Sequence, residues 1–415
     1  MKPDVKRELL AGLTTFLTMS YVLVVNPAIL SDAGIPKEGV IFATAVASAV
    51  ATYTMGIYAG LPFALAPGMG LNAYFTYTVC GQMGIDWRTA LTAVFIEGVL
   101  FLIMALFGAR RAIFRSMPKS LAYGISAGIG LFIAFIGLKN AQIVVPSQAT
   151  LVKLGDLKSP QAFITVLTLI FITVLQKKKV KGSLLLGILF AVLLSVPFGL
   201  VEKPHGIVGL PQPLAAFQLD FSHLFSYSIV PVVVAFLLVD VFDTVGTLSA
   251  LCTRLGISLK DERVGRALTS DAIGTTVGAL LGTSTVTTYV ESASGVAAGG
   301  KTGLTAITVA TLFLLSLFLY PLISVIPTFA TSAVLIYVGY FMMESLKKVE
   351  WEEVTEALPA FVTFTAIPLT YSISDGMGIG FITYTAVKVL TGNWRDLNKV
   401  LILITVTFLI KFLLT

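Results

Sequence analysis

The chain has 415 residues, of which 56% are hydrophobic and only 12% are charged, and its formal net charge is +6. An average soluble protein has about 25% charged residues, so this composition excludes an ordinary soluble domain. The positive charge does not indicate nucleic-acid binding, because the basic residues lie in short loops that alternate with long apolar runs. We therefore expect a multi-pass protein embedded in a lipid bilayer.

The apolar runs predict the secondary structure in chain order. Each run has about 16 to 24 residues, about enough to cross a hydrocarbon core of about 30 Å as a helix. We therefore predict an all-α polytopic membrane protein with about 14 transmembrane segments. The predicted spans are 9–30, 40–60, 62–79, 89–108, 120–140, 161–176, 183–200, 228–250, 266–281, 283–299, 303–324, 328–345, 357–372 and 375–391, with a further apolar run at 400–414.

A polar interruption with three prolines divides these spans into two halves of seven. Residues 1–200 are the first predicted repeat, 201–227 an extracytoplasmic linker, 228–392 the second repeat, and 393–415 an apolar tail. Because seven is odd, the second repeat is inverted relative to the first. Inverted repeats with a binding site at their interface are a common plan of secondary transporters.

The positions of the basic residues predict the orientation of the chain. If each apolar run crosses once, 20 of the 28 Lys and Arg residues fall on the same side as the N terminus. The positive-inside rule then places the N terminus in the cytoplasm and the chain in the cell membrane. These basic residues are Lys2, Lys6, Arg7, Arg110, Arg111, Arg115, Lys119, Lys177, Lys178, Lys179, Lys181, Arg254, Lys260, Arg263, Arg266, Lys301, Lys347, Lys348, Arg395 and Lys399.

The cysteines and histidines give no sign of a metal or redox site. Cys80 and Cys252 lie in or beside apolar segments and lack the spacing of a disulfide framework or a zinc site. His205 and His223 share one polar linker, where a surface role fits better than metal binding. We expect no cofactor and no resident metal.

Two segments would make poor membrane helices, and each is the third span of its half. The first broken segment, 64–74, reads ALAPGMGLNAY, and its Pro and Gly residues interrupt a helix. The second broken segment, 282–295, reads GTSTVTTYVESASG, and its Thr/Val alternation is typical of extended chain. Irregular backbone at membrane depth is tolerated where protein or a water-filled cavity satisfies it. We therefore expect a substrate cavity between two spans that each consist of a short extended strand and a half-helix.

Acidic side chains within the spans are the strongest indication of chemistry. Each charged residue costs about 2.5–3.5 kcal/mol at a helix centre on insertion scales, so such residues usually have a function. Asp240 and Asp243 are three residues apart and share one helix face. Glu291 follows the extended part of the second broken segment, and Glu97 lies in the fourth span. Like charges repel in a low-dielectric site, so one carboxyl group is expected to hold a proton, as a proton-coupled carrier requires.

The remaining polar and aromatic residues of these segments suggest a flat, neutral substrate. Asn72 offers both donors and acceptors, as the edge of a neutral heterocycle requires. Phe242, Tyr74 and Tyr289 lie beside the polar groups and could stack on such a ring. An anion fits badly, because we expect acids and no Lys or Arg in this cavity.

Four stretches resemble the hypoxanthine/guanine/adenine permeases, a branch of the xanthine/uracil permease family of nucleobase/cation symporters. The resemblance extends from about Glu8 to Gly392, and its second and third stretches are the most specific. The four stretches are APGMGLNAYF at 66–75, VDVFDTVGTL at 239–248, GTSTVTTYVESASGVAAGGKTGL at 282–304 and YSISDG at 371–376.

The resemblance implies a core domain built from spans 1–4 and 8–11 and a gate domain built from spans 5–7 and 12–14. It implies that Asp243 and Glu291 bind a purine base, and that Asp240 supports binding or coupling. Gly70 and Asn72 would then shape specificity. The other implied substrate contacts are Phe242, Thr288 and Tyr289. Asp240, Asp243 and Glu291 are the implied proton-coupling residues.

Such carriers usually import their substrate by proton symport and often form homodimers through the gate domain, although sodium coupling stays open here. Val286 interrupts what is commonly a Thr/Ser run, which leaves open whether guanine, hypoxanthine or adenine is preferred. The tail at 400–414 lies outside the 14-span plan.

Four alternatives compete with a purine/proton symporter. A uracil, xanthine or other heterocycle carrier would use the same fold. An anion carrier of the sulfate or bicarbonate type would need a cationic or neutral site, which the acids oppose. A passive channel would need a continuous polar lining instead of clustered acids. A membrane enzyme is disfavoured, because the sequence has no P-loop, no Ser-His-Asp arrangement and no metal-ligand cluster.

Overall fold

The structure is a computed structural model that describes residues 4–107, 118–204, 206–222 and 229–414. Outside the described residues lie Lys2, Arg110, Arg111, Arg115, His205 and His223. The helices before the central linker are α1 (Val5–Met19), α2 (Val22–Ser31), α3 (Lys37–Thr54, continued as a π-helix over Met55–Ala59), α4 (Met69–Ala73, continued as a π-helix over Tyr74–Gln82), α5 (Trp87–Leu106), α6 (Lys119–Asn140), α7 (Pro160–Lys177) and α8 (Ser183–Ser195).

The second half is also mostly helical, as the sequence predicts. Its helices are α9 (Ile229–Leu255), α10 (Glu262–Leu281), α11 (Ser292–Ala297), α12 (Gly303–Ser316), α13 (Tyr320–Ser324), α14 (Ser332–Met342), α15 (Val354–Leu369), α16 (Ile373–Leu390) and α17 (Lys399–Leu414). Short 3₁₀ turns cover Val196–Phe198, Thr328–Thr331, Met343–Lys348 and Trp394–Asp396. The strands are β1 (Leu65–Pro67), β2 (Val144–Ser147), β3 (Leu151–Leu154) and β4 (Val286–Thr288).

The two broken segments meet each other in the middle of the bundle. β1 and β4 pair antiparallel, with Leu65 opposite Thr288 and Pro67 opposite Val286. Both strands are fully buried. Each strand leads into a short helix, α4 after β1 and α11 after β4. The strand pairing satisfies backbone groups that Pro and Gly prevent from forming helix hydrogen bonds, which is what irregular backbone at this depth requires.

Several boundaries differ from the predicted spans. The first span is two helices, because α1 ends at Met19 and α2 begins at Val22, and Pro27 lies inside α2. The eleventh span is interrupted between α12 and α13. Residues 144–154 form an exposed hairpin of β2 and β3 that an all-α prediction misses. The tail at 400–414 forms α17, which packs against α16.

The helices pack in two neighbouring sets. One set joins α3, α5, α9 and α10, with α12 against α1 and α3 and α11 against α1. The other joins α6 to α14 and α15, with α15 against α16 and α7 against α8. Small residues permit these close approaches, since a Cβ atom at Gly124 would lie 2.7 Å from the carbonyl oxygen of Ala360. A Cβ atom at Gly274 would lie 2.6 Å from Ala51. These glycines therefore serve close helix packing.

Seven helical stretches in the described part of the chain are long and apolar enough to cross a bilayer. Three further apolar helices, Ser183–Phe198, Gly303–Ser316 and Val354–Leu369, are shorter. These observations agree with a multi-pass membrane protein. The count of fourteen spans stays a prediction.

Candidate functional site

An open cavity of about 750 Å³ lies beside the two broken segments. Its size is within the range of small-molecule binding pockets, about 300–1,000 Å³. Its lining residues come from the turn before α4, from β4 and α9, and from α8 and α14. The lining residues used below are Thr18, Tyr21, Gly70, Lys179, Leu184, Asp243, Arg254, Thr287, Thr288, Tyr289, Glu291, Tyr337 and Phe341.

Asp243 and Glu291 both line this cavity, although they come from different elements. Asp243 lies in the middle of α9, and its side chain is exposed to the open cavity. Glu291 is the residue before α11 and is half-buried. The Tyr21 hydroxyl donates to Glu291 Oε1 at 2.8 Å and fixes the orientation of this carboxyl group. Two acceptor groups therefore face one space that can admit a ligand with N–H donors.

The backbone between the broken segments is held by side chains as well as by strand pairing. The Tyr289 hydroxyl donates to the carbonyl oxygen of Pro67 at 2.5 Å and so ties the end of β4 to the end of β1. Thr288 is buried on β4 and lines the cavity together with Tyr289. Gly70 lines the cavity from α4, where a Cβ atom would lie 2.5 Å from Ile129 Cγ2 on α6. A larger residue at position 70 would collide with the facing helix.

A buried acid on α10 joins this framework. Asp271 accepts hydrogen bonds from Thr244 at 2.6 Å and from Thr288 at 2.9 Å. Thr244 is also 2.8 Å from the hydroxyl of Thr287, so α9, α10 and β4 share one network. Asp271 is a functional-site candidate that the sequence pattern did not single out. A carboxylate in the middle of a predicted span was the available signal, the same signal that singled out Asp240.

Not every residue singled out in the sequence lines the cavity. Asn72 is fully buried, and its side-chain oxygen accepts a hydrogen bond from Ser284. Tyr74 is fully buried and packs edge-on against Phe236 with ring centroids 4.8 Å apart. Phe242 is half-buried in the apolar core, and Asp240 is fully buried beneath the cavity wall. The structure thus brings together Gly70, Asp243, Thr288, Tyr289 and Glu291 in the cavity lining.

Two features of the cavity differ from the sequence-based expectation. The cavity is not free of basic residues, because Lys179 and Arg254 are among its lining residues. Both lie at helix ends, Lys179 just after α7 and Arg254 in the last turn of α9, and a helix end is a place where a long cationic side chain can reach water. The second feature is aromatic, because Tyr337 and Phe341 of α14 line the same cavity as the acids.

Comparison with proteins of known family identifies the chain's relatives. A permease of Methanocaldococcus jannaschii is 51% identical over 414 residues, covering 99% of this chain and 95% of the relative. The guanine/hypoxanthine permease PbuO of Bacillus subtilis is 43% identical, covering 98% of this chain and 97% of its own. The adenine permease AdeQ of Escherichia coli is 40% identical, covering 99% and 93%.

Solved structures share the fold. The transmembrane domain of the cyanobacterial bicarbonate transporter BicA matches with a TM-score of 0.68 at 15% identity, over 90% of this chain and 98% of that domain. SLC26A9 matches with a TM-score of 0.69 at 12% identity, over 93% of this chain and 66% of that protein. Sequence identities this low show a shared fold, but they give no evidence about the substrate of this chain.

The family assignment follows from the length and strength of the sequence matches. The Permease family model matches residues 6–408, which is almost the whole chain. The motifs around Gly70, Asp243 and Glu291 lie within that range. The chain is therefore a transporter rather than an enzyme, and it belongs to the Permease family.

Proposed function

We propose that this chain imports purine nucleobases by proton symport. The main supporting observation is that Asp243 and Glu291 face one cavity of about 750 Å³ beside Tyr289. Carboxylates accept from the N–H edge of a base, and an aromatic ring at the same depth offers a face for stacking. Relatives named as guanine/hypoxanthine and adenine permeases, at 43% and 40% identity, support purines as the substrate class.

The position of the cavity supports an alternating-access mechanism. Lys179 and Arg254 lie in loops and helix ends that the positive-inside rule assigns to the cytoplasm, so the cavity faces the cytoplasm. Its lining residues come from both helix sets, with Asp243 and Glu291 from one and Tyr337 from the other. We assign the first set to a core domain and the second to a gate domain. Relative movement of the two would expose the same site to the other side.

The same proposal includes the setting of the transporter. The cell membrane is the assigned location, the N terminus is cytoplasmic, and no cofactor besides the coupling ion is required. A homodimer through the gate domain is proposed from the family resemblance.

The fold likeness to a bicarbonate transporter does not favour an anion as the substrate. An anion in this cavity would approach Asp243 and Glu291 at the depth of the broken segments. Like charges repel strongly where water is excluded. The basic residues Lys179 and Arg254 lie at helix ends, where their long side chains can reach water, whereas the acids lie at the broken segments. The acids therefore support a neutral base over an anion as the substrate.

Uptake into proteoliposomes tests the proposal. Radiolabelled guanine, hypoxanthine and adenine are supplied with and without an inward proton gradient, in the presence and absence of sodium, with uracil and bicarbonate as comparison substrates. Purine uptake that the proton gradient drives, that unlabelled base competes, and that sodium does not change is the expected result. No uptake of any purine by folded protein would refute the proposal, and sodium dependence would refute proton coupling.

Substitution of the two acids tests the assigned residues. Asp243→Asn and Glu291→Gln each remove a charged acceptor, which contributes about 1.5–3 kcal/mol, or about 10- to 150-fold in Kd. Glu262→Gln is the matched control, because Glu262 lies at the exposed start of α10 and pairs with Arg266. Unchanged binding in both site variants would refute the assignment of these acids.

A further inference from the structure

A second pair of acids lies outside the substrate cavity. Glu97 of α5 and Asp240 of α9 are both fully buried, and neither lines the cavity. α9 packs against α5, which brings the two carboxyl groups within hydrogen-bonding reach of each other. Among the described residues, no hydrogen-bond donor reaches any of their four oxygens. Buried carboxyl groups without a donor are rare, because an unsatisfied buried polar group costs about 1–3 kcal/mol.

The charged neighbours of the pair supply neither a positive charge nor a hydrogen-bond donor. The charged groups acting on Glu97 are Asp240 and Asp271, and those acting on Asp240 include Asp243 as well. All of these are acids. Asp271 is satisfied by the hydroxyls of Thr244 and Thr288, so it offers the pair no donor. Two facing carboxylates away from water cannot both be ionised.

We propose that Glu97 and Asp240 together form the binding site for the coupling proton, separate from the acids that bind the base. One bound proton converts one carboxylate into an O–H donor to the other and gives each group a hydrogen-bond partner. This inference rests on the proposed function and names the ion site that it requires. A metal ion fits worse, because the described residues contain no group of three or more His, Cys, Asp or Glu arranged to hold one.

A hydrogen-bond network runs from Asp271, the acid next to the pair, to the substrate cavity. Asp271 is the acid next to the pair, and it holds Thr288 of β4 at 2.9 Å and Thr244 of α9 at 2.6 Å. Thr244 in turn contacts Thr287 at 2.8 Å. Thr287 and Thr288 line the substrate cavity. Loss of the proton adds a negative charge next to Asp271. The added charge changes the electrostatic force on Asp271 and, through its hydrogen bonds, on β4, which lines the cavity.

Neutral substitutions of the pair separate coupling from binding. Glu97→Gln and Asp240→Asn place an amide donor where the proton would sit and so imitate the protonated state. A one-unit proton gradient, about tenfold in activity, drives about tenfold accumulation of a neutral base by one-proton symport. Each variant is expected to exchange labelled for unlabelled purine like the wild type while its accumulation ratio falls to about one. Glu262→Gln on the exposed start of α10 is the control and should accumulate normally.

The outcomes distinguish this inference from the proposed function. If the wild type concentrates purine and both amide variants still concentrate it with the same pH dependence, the proton site is elsewhere and the inference is overturned. If the wild type transports no purine, the proposed function fails first. If Glu97→Gln and Asp240→Asn do not fold, infrared spectroscopy of protein that keeps both acids tests the inference. In the Asp243→Asn/Glu291→Gln background at neutral pH, the C=O stretch of a protonated carboxylic acid should remain, and its absence would overturn the inference.

Discussion

The contact between Gly70 and Ile129 predicts that a single methyl group impairs this transporter. A Cβ atom at Gly70 would lie 2.5 Å from Ile129 Cγ2, and Ile129 is 2% exposed in the middle of α6. Ordinary contacts between carbon atoms are about 3.5–4.0 Å, so the Gly70→Ala methyl group needs about 1 Å that the buried neighbour cannot easily provide. Over-packing of this kind costs about 1–3 kcal/mol.

The over-packing caused by Gly70→Ala would destabilise the contact between the proposed core and gate domains. Gly70 lies on α4 beside the cavity, whereas Ile129 belongs to the facing helix set. Destabilising the cytoplasm-facing state by about 1–3 kcal/mol changes its population relative to other states by about 5- to 150-fold. We therefore expect weaker base binding and slower uptake by Gly70→Ala, measured with equilibrium binding in detergent and with proteoliposome uptake.

A second substitution tests the cause. Ile129→Leu removes the γ2 methyl group that collides while keeping the side-chain volume, and swaps of this kind usually cost less than about 1.5 kcal/mol. The Gly70→Ala/Ile129→Leu double variant should recover most of the lost binding and uptake. Gly206→Ala is the control, because the nearest atom to its Cβ is 3.8 Å away. Full activity of Gly70→Ala, or no rescue by the second substitution, would refute the steric argument.

Three further variants test individual hydrogen bonds. Tyr21→Phe removes the donor to Glu291, and we expect Kd for the base to rise about tenfold, checked by equilibrium binding. Ser284→Ala leaves the buried oxygen of Asn72 without its donor, and we expect the free energy of unfolding to fall by about 1–3 kcal/mol in thermal unfolding, with base affinity retained. Buried Glu8 accepts three hydrogen bonds at the start of α12, so Glu8→Ala should lower the free energy of unfolding by at least about 1–3 kcal/mol.

Matched controls separate these effects from general damage. Tyr53→Phe removes an exposed hydroxyl that contacts Thr311 and should leave Kd unchanged. Ser258→Ala removes an exposed hydroxyl in the turn before α10 and should leave the melting temperature unchanged. A wild-type Kd in Tyr21→Phe would show that Glu291 does not need this donor. A loss of affinity in Ser284→Ala at unchanged stability would place Asn72 in base binding instead of in support of the fold.

The sequence by itself determined the class of the protein and the location of its irregular backbone. Apolar runs long enough to cross a bilayer predict helices, because a chain in lipid must satisfy its own backbone groups. Pro67 and Gly68 exclude a regular helix at β1, and the Thr/Val alternation favours the extended chain of β4. Asp243 and Glu291 were identified as site residues because charge in a span is costly and therefore rarely without function.

Only the tertiary structure decided which of these residues meet. Asp240 and Asp243 are equivalent in sequence terms, yet one is buried against Glu97 and the other opens into the cavity. A 60° difference in direction around α9 separates them, since a helix turns about 100° per residue. The neighbours on each side come from α5 and from α11, which local sequence cannot specify.

The same reason explains the remaining differences. Asn72 turns to Ser284 instead of the cavity because the two broken segments, 212 residues apart at these positions, pair with each other. Asp271 reaches Thr288 only because α10 packs behind β4. Local residue patterns determine where a helix must break and where a charge is costly. Contacts between segments distant in the chain determine which broken ends face each other, and therefore which acids line the cavity and which are buried against each other.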